Sequence, residues 1–190
     1  GYDGPIAAPR EIPASTPRRV VIVGSFNWVV KRENLRRFVE HADSVFARHG
    51  IELVVAGEVP QELQCALQSN CRATRLAGFV PELMPLLAQA RIALVPELIG
   101  GGFKLKFLDY FFGRIPVASV NAAAAGLPAA IRACLLCGED IPSLAERVVQ
   151  QIDDLDDLNR RQAAAFEHAQ SSFRWSDRGA QLLAQIRELR

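Results

Sequence analysis

The chain alternates short, wholly apolar runs with longer stretches whose apolar residues recur at the spacing of a helix face. Val20-Val21-Ile22-Val23, Leu53-Val54-Val55-Ala56 and Ile92-Ala93-Leu94-Val95 are continuous runs closed by Gly24, Gly57 and Pro96. A strand covered on both faces needs apolar side chains on both sides of the pleat, so these runs predict interior strands of a parallel sheet. Between the first two, Leu35, Phe38, Val39, Ala42, Val45 and Phe46 fall at helical spacing, and Gly50 stops that helix. A helix around 62–68 and a short strand near 72–76 come next. Pro81 then suits the first turn of a helix carrying Leu83, Leu86 and Leu87. Beyond the run at 92–95 the pattern predicts a helix over 103–112, a strand over 115–118, an alanine-rich loop over 121–126 and a sixth strand over 131–137. From Pro142 the pattern is helical to the end, with breaks near 153–154 and 171–177.

Strands alternating with helices of ordinary length call for an α/β fold: a doubly wound parallel sheet, Rossmann-like, with helices on both faces. Residues 1–18 differ in kind. Prolines at 5, 9, 13 and 17, with Ala, Ser and Thr between them, fix φ and remove donors, which predicts an extended linker or crossover. That stretch reads as the approach to a domain covering 19–190 and not as the start of a protein.

Composition narrows the function. The 190 residues are 49% apolar and 23% charged, ordinary for a globular domain. Lys plus Arg number 22 against 21 Asp plus Glu, a formal net charge of +1. Nucleic-acid binding by counterion release needs a clustered excess of cations, so no nucleic-acid partner is expected; a local site for a small anion is compatible with the balance. No run approaches the roughly 18 apolar residues of a membrane span, and Gly1-Tyr2-Asp3-Gly4-Pro5 lacks the profile of a secretory signal. Cys65, Cys71, Cys134 and Cys137 are expected as buried thiols in a reducing cytoplasm, not as a metal or disulfide set. Asp153-Asp154 and Asp156-Asp157 lack the glycine and spaced oxygens of a calcium loop, and His41, His49 and His168 lie too far apart to form a catalytic group. No metal is expected.

Open parallel sheets bind ligands beyond the carboxyl ends of their strands, where strand order reverses. Two predicted strand exits carry suitable residues: Gly24-Ser25 and Gly100-Gly101-Gly102. Successive glycines let backbone approach a ligand and let several N–H groups face one anion. A helix predicted to start at 103 places Lys104 and Lys106 in its first turn, where the dipole disfavours cations unless an anion sits there. Lys106 and Asp109 share a face, offering a cation for phosphate and a carboxylate for sugar hydroxyls. A tight turn followed by a surface ion pair explains the same residues, and both readings stay open on this evidence. Gly24-Ser25-Phe26-Asn27-Trp28 is no dinucleotide fingerprint, and no P-loop occurs.

An ordered series of short motifs adds to this. Val-Ile-Val-Gly-Ser-Phe-Asn-Trp at 21–28, Leu-Val-Val-Ala-Gly-Glu at 53–58 and Leu-Ala-Gly-Phe-Val-Pro-Glu-Leu at 76–83 are followed by Ala-Arg-Ile-Ala-Leu-Val-Pro at 90–96. Gly-Gly-Gly-Phe-Lys-Leu-Lys-Phe-Leu-Asp-Tyr at 100–110, Ile-Pro-Val-Ala-Ser at 115–119 and Ala-Gly-Leu at 125–127 close the series. In order and spacing the chain resembles the carboxy-terminal, donor-binding half of GT-B glycosyltransferases, the retaining family-four (group 1) enzymes in particular. Phe173-Arg174-Trp175 before a last helix resembles the family's terminal region less specifically.

The resemblance implies roles. Lys106 would hold the diphosphate of a UDP- or GDP-sugar, with Gly24, Ser25, Gly101, Gly102 and Lys104 around it. Asp109 stands where the family usually has a glutamate for the ribose, and Phe79 and Val80 would border the nucleobase. Gly101 occupies the first position of the family's Glu-x7-Glu motif, so that carboxylate is missing. Lys31 and Arg32 are either additions to the phosphate site or solvated cations. The implied activity is glycosyl transfer, without a metal or other cofactor, to an acceptor glycan, lipid or small molecule held by an amino-terminal domain outside this chain; alone, the domain would be inactive. A cytoplasmic site, at the inner face of the membrane for a peripherally associated full-length protein, is expected. A nucleotide-sugar epimerase of the same fold and a degenerate partner-binding domain are the alternatives.

Overall fold

A computed structural model of the chain describes residues 1–175, 179 and 186. Six strands, β1 (Arg19–Val23), β2 (Glu52–Ala56), β3 (Thr74–Gly78), β4 (Ile92–Val95), β5 (Val117–Val120) and β6 (Leu136–Gly138), form one sheet. Their order is β3-β2-β1-β4-β5-β6, and every pairing is parallel. The sequence order runs outward from β1 to one edge and from β4 to the other, so the chain reverses between β1 and β4. Val20, Val21, Leu53, Val54, Val55 and all of β4 are fully buried, as the unbroken apolar runs require.

The helices are α1 (Val29–Arg48), α2 (Gln61–Gln68), α3 (Leu83–Ala88), α4 (Lys106–Phe112), α5 (Asn121–Ala124), α6 (Ala129–Ala133), α7 (Ile141–Gln151) and α8 (Leu155–Phe173). Crossovers between parallel strands are right-handed, so chain segments running in opposite directions across the sheet lie on opposite faces. Accordingly α1 packs with α2 and α7, while α4 packs with α8. The doubly wound sheet expected from the alternation is present.

Several expectations need correction. Cys65 is exposed and Cys71, Cys134 and Cys137 are only half-buried, against the expectation of buried thiols. The alanine-rich 121–126 segment opens as α5, because alanine has the highest helix propensity and nothing there breaks a turn. Residues 131–137 are not one strand: Pro128 precedes the helical turn α6, and only Leu136–Gly138 pair with β5. Ile131, Leu135 and Leu136 are buried from both kinds of backbone, so their run of apolar residues does not discriminate. The helix expected over 103–112 begins only at Lys106, and the fifth strand is Val117–Val120 because Pro116 supplies no donor, only the carbonyl that receives the Ala93 N–H. The final helix beyond Trp175 lies outside the described residues.

Residues 1–18 contain no helix, turn where Thr16 N–H donates to Pro13 O at 2.9 Å, and lie against the domain. Ile12 is buried, its N–H donates to Asn159 Oδ1 at 2.8 Å, and the Arg10 guanidinium donates to the carbonyls of Leu87 and Ala90. The buried Arg91 guanidinium holds the carbonyls of Thr16 and Ala14 and pairs with Asp153.

Asp43, on the buried face of α1, fixes the start of β3. Its carboxylate accepts from the N–H groups of Arg72, Ala73 and Thr74 at 2.8–3.0 Å and from Thr74 Oγ1 at 2.7 Å. Burial opposes ionisation, yet these hydrogen bonds together hold the carboxyl below its ordinary range. Asp43→Ala should therefore cost about 2–4 kcal/mol, measured by chemical denaturation. Because the folded-state pKa is depressed, the contribution is present above the ordinary carboxylate pKa and is lost as pH falls through the lower folded value. Wild type and Asp43→Ala should thus converge in stability under strongly acid conditions.

Candidate functional site

The carboxyl ends of β1 and β2 crowd together. Gly24 N–H donates to Ala56 O at 3.0 Å and Phe26 N–H to Glu58 O at 2.9 Å, carrying the ladder past the strand ends. Gly57 sits at φ +128°, and a Cβ there would fall 1.7 Å from Gly24 O. No other residue type fits. Tyr110 of α4, fully buried, accepts the Val23 N–H on its hydroxyl at 2.9 Å and so ties the end of β1 to the helix that follows β4.

Two clefts open from this point, and both are lined by Val23 and Gly24. The first, about 410 Å³, is also lined by Ser25, Ala56, Gly57, Glu58, Phe79, Val80 and Leu83. Its walls are largely apolar, and Phe79 stands 74% exposed at the rim. A planar, weakly polar ring would find contacts there.

The second cleft, about 520 Å³, is charged. Lys31, Lys104 and Lys106 line it with Glu97 and Asp109, between Trp28, Val30, Ile99 and Phe103. Lys106 Nζ, at the first residue of α4, donates to Glu97 Oε1, and both side chains are nearly buried. Glu97 Oε2 is buried and has no partner among the described residues. A Cβ on Gly24 would come 3.5 Å from Lys106 Nζ, so the lysine reaches the end of β1. Lys104 Nζ folds back onto the glycine loop and donates to the carbonyls of Gly100 and Gly101 at 3.1 and 2.8 Å. Gly100 and Gly102 take φ +108° and +76°, the left-handed region that glycine enters freely. Asn34 of α1 holds the loop from the other side, donating to Ile99 O at 2.8 Å and accepting from Ile99 N–H at 3.0 Å.

Asp109 has a different surrounding. Burial pushes its carboxyl above the ordinary range, against the neighbouring Tyr2 phenol, which pulls the other way and whose hydroxyl donates to Pro5 O at 3.0 Å. The Tyr2 phenol is pushed up to about 12, chiefly by burial and then by the Asp109 charge. Tyr2 is held in place by stacking on Phe112 with ring centroids 4.3 Å apart.

The structure gathers most of the sequence-predicted residues at this place. Gly24, Gly101, Lys104, Lys106 and Asp109 line the charged cleft, while Ser25, Phe79 and Val80 line the apolar one. Gly102 lines neither, and of the pair Lys31 and Arg32 only Lys31 reaches the charged cleft. The placement of Lys104 in a helical first turn is overturned, since it precedes α4. At seven residues, α4 has a small dipole, so positive charge here belongs to side chains and not to a helix end. Glu97, Asn34 and Tyr2 carry no mark in the periodicity of the sequence. The one sign of Glu97 is its position after Pro96 at a strand exit, nine residues before Lys106. No group of three or more His, Cys, Asp or Glu that could hold a metal ion is found among the described residues. Nor is any helix among them long and apolar enough to cross a membrane.

Comparisons with known proteins agree with this architecture. TarM superposes with a TM-score of 0.71 at 12% identity, over 93% of this chain and 37% of TarM. Anabaena HepE, solved with UDP and glucose, gives 0.68 at 14% identity over 92% of this chain and 49% of HepE. Sucrose-phosphate synthase from Thermosynechococcus elongatus gives 0.67 at 19% identity over 93% and 46%. The chain thus spans less than half the length of each, and at these identities the likeness is one of fold, the Rossmann-like part of a GT-B glycosyltransferase. A search of curated proteins finds no match. The model of the family "Glycosyl transferases group 1" matches residues 17–154, well over half of the chain, and the chain belongs to that family.

Proposed function

We propose that this chain is the donor domain of a metal-independent glycosyltransferase, binding a nucleoside-diphosphate sugar across the two clefts. The observation that carries the reading is their meeting at Gly24: an apolar slot on one side and a lysine-bearing cleft on the other. A sugar nucleotide has the same polarity along its length, with a flat base at one end and a diphosphate in the middle. The base lies against Phe79 and Val80. The diphosphate passes Gly24 and Ser25 to reach Lys106, with Lys104 and the Gly101–Gly102 backbone beside it. Asp109 accepts from the ribose, in competition with the Tyr2 phenol.

Transfer breaks the bond between the sugar's anomeric carbon and the diphosphate oxygen, and negative charge grows on the departing nucleotide. Lys106, already fixed and largely desolvated, stabilises that charge as it forms. The glycosyl group passes to a glycan, lipid or small molecule brought by a further domain, in the cytoplasm or at its membrane face. UDP is the first nucleotide to test, since HepE is solved with it, and GDP the second.

Titration calorimetry should detect binding of one of them to the wild-type chain. Lys106→Ala should weaken it by about 1.5–3 kcal/mol, the range for a charge-assisted hydrogen bond; unchanged affinity removes Lys106 from the site. Gly24→Val should abolish binding while leaving the fold intact by circular dichroism. The Cβ itself meets Phe26 and Lys106 at 3.4–3.5 Å, ordinary contact, so the added methyls project into the space between the clefts. Tight binding by Gly24→Val would place the nucleotide elsewhere.

A further inference from the structure

Glu97 is unexplained by diphosphate binding. It stands just beyond β4, 9% exposed, with one carboxylate oxygen on Lys106 and the other buried without a donor. An acceptor in that state is costlier than the same group in water, and more so when ionised. The donors around it are turned to other acceptors: Asn34 donates to Ile99 O and Lys104 to the glycine carbonyls. The Tyr110 hydroxyl accepts from Val23 and directs its proton to Leu94 O at 3.5 Å. A carboxylate beside a phosphate-binding lysine also repels phosphate, so the residue opposes the reading above unless the ligand brings something for it.

A sugar nucleotide brings hydroxyls. Ring hydroxyls lie within a few bonds of the β-phosphate, so a phosphate on Lys106 carries them past the next group in the cleft. We propose that Glu97 is the specificity-determining residue of the donor site, accepting a sugar hydroxyl on Oε2 while Oε1 orients Lys106. The inference rests on the donor reading and adds a consequence to it. With the sugar present, the carboxylate gains a charge-assisted hydrogen bond; after transfer the bare nucleoside diphosphate faces an anion whose Oε2 has no donor. Glu97 therefore favours the sugar-bearing nucleotide over the spent one and helps to expel the product.

The test compares wild type with Glu97→Gln by calorimetry, using UDP with UDP-glucose and GDP with GDP-mannose. Glu97→Gln should bind the bare nucleotide more tightly than wild type does. Its preference for the sugar nucleotide over the bare one should fall about tenfold or more. A structural role would shift both ligands alike, so an unchanged ratio overturns the sugar contact while leaving the donor reading standing. Failure of wild type to bind any of the four overturns the donor reading and this inference with it. Should Glu97→Gln not fold by thermal denaturation, wild type titrated with UDP-glucose and its monodeoxy analogues decides the point. One missing hydroxyl should cost about tenfold or more, and equal binding of all the analogues overturns the proposal.

Discussion

A lysine and a glutamate held together at the mouth of the sheet set the character of this molecule's cleft. Ion pairs out of water are poor stabilisers, since desolvating both charges consumes most of what their attraction returns. Apolar residues of similar volume would pack the same space at less cost. The retention of Lys106 and Glu97 therefore points to work done by the charges themselves. The pair also solves a problem of geometry: a free lysine has four rotatable bonds to order when an anion arrives, whereas this one is already directed across the cleft. Preorganisation of that kind is what an electrostatic site needs, because donors that must move before they act lose part of their effect.

Everything that aims the pair follows from how the strands end. Parallel strands that diverge from β1 and β4 leave a gap at their carboxyl ends, and the chain fills it with backbone and not with side chains. Gly57 admits the Gly24 carbonyl at a distance no Cβ would allow. Tyr110 reaches under the gap to hold the Val23 amide, which fixes α4 and with it Lys106 relative to β1. Asn34 clips the far side of the glycine loop to α1. Three separate elements thus converge on one opening, and each is anchored by a buried or half-buried polar contact.

Much of this was legible in the sequence. The three apolar tetrads at 20–23, 53–56 and 92–95 are unambiguous, since a fully buried strand has no other use for polar residues and a helix of that length would be too short. Gly24, Gly100, Gly101, Lys106 and Asp109 were legible as lining the cleft because glycine at a strand exit and a cation just past it have few structural motives. Residues 131–137 were not, because a buried single turn of helix and a buried strand share one apolar pattern. The start of α4 was misplaced for a related reason: Phe103 and Lys104 are compatible with a helix, and only the hold of Lys104 on the glycine carbonyls keeps them out of it. Glu97 and Tyr2 were illegible in a deeper sense. Tyr2 meets Asp109 from the far end of the chain and Glu97 meets Lys106 across an irregular loop, so no local periodicity records either contact.

Three lysines, at 31, 104 and 106, face two carboxylates, at 97 and 109, so the cleft has one surplus positive charge if all are ionised. A diphosphate carries more negative charge than that. Under the donor reading, neutralisation by side chains alone is incomplete, and the remainder would have to come from backbone N–H groups outside the ladder, such as those of Ser25 and the glycine loop. Those groups have fixed positions and carry no compensating anion, whereas Lys106 already has a carboxylate and Lys104 two carbonyls in hand. A diphosphate in this cleft would therefore rest on amides whose positions do not change, while Lys104 and Lys106 exchange their present partners for its oxygens and Glu97 reads what the diphosphate carries.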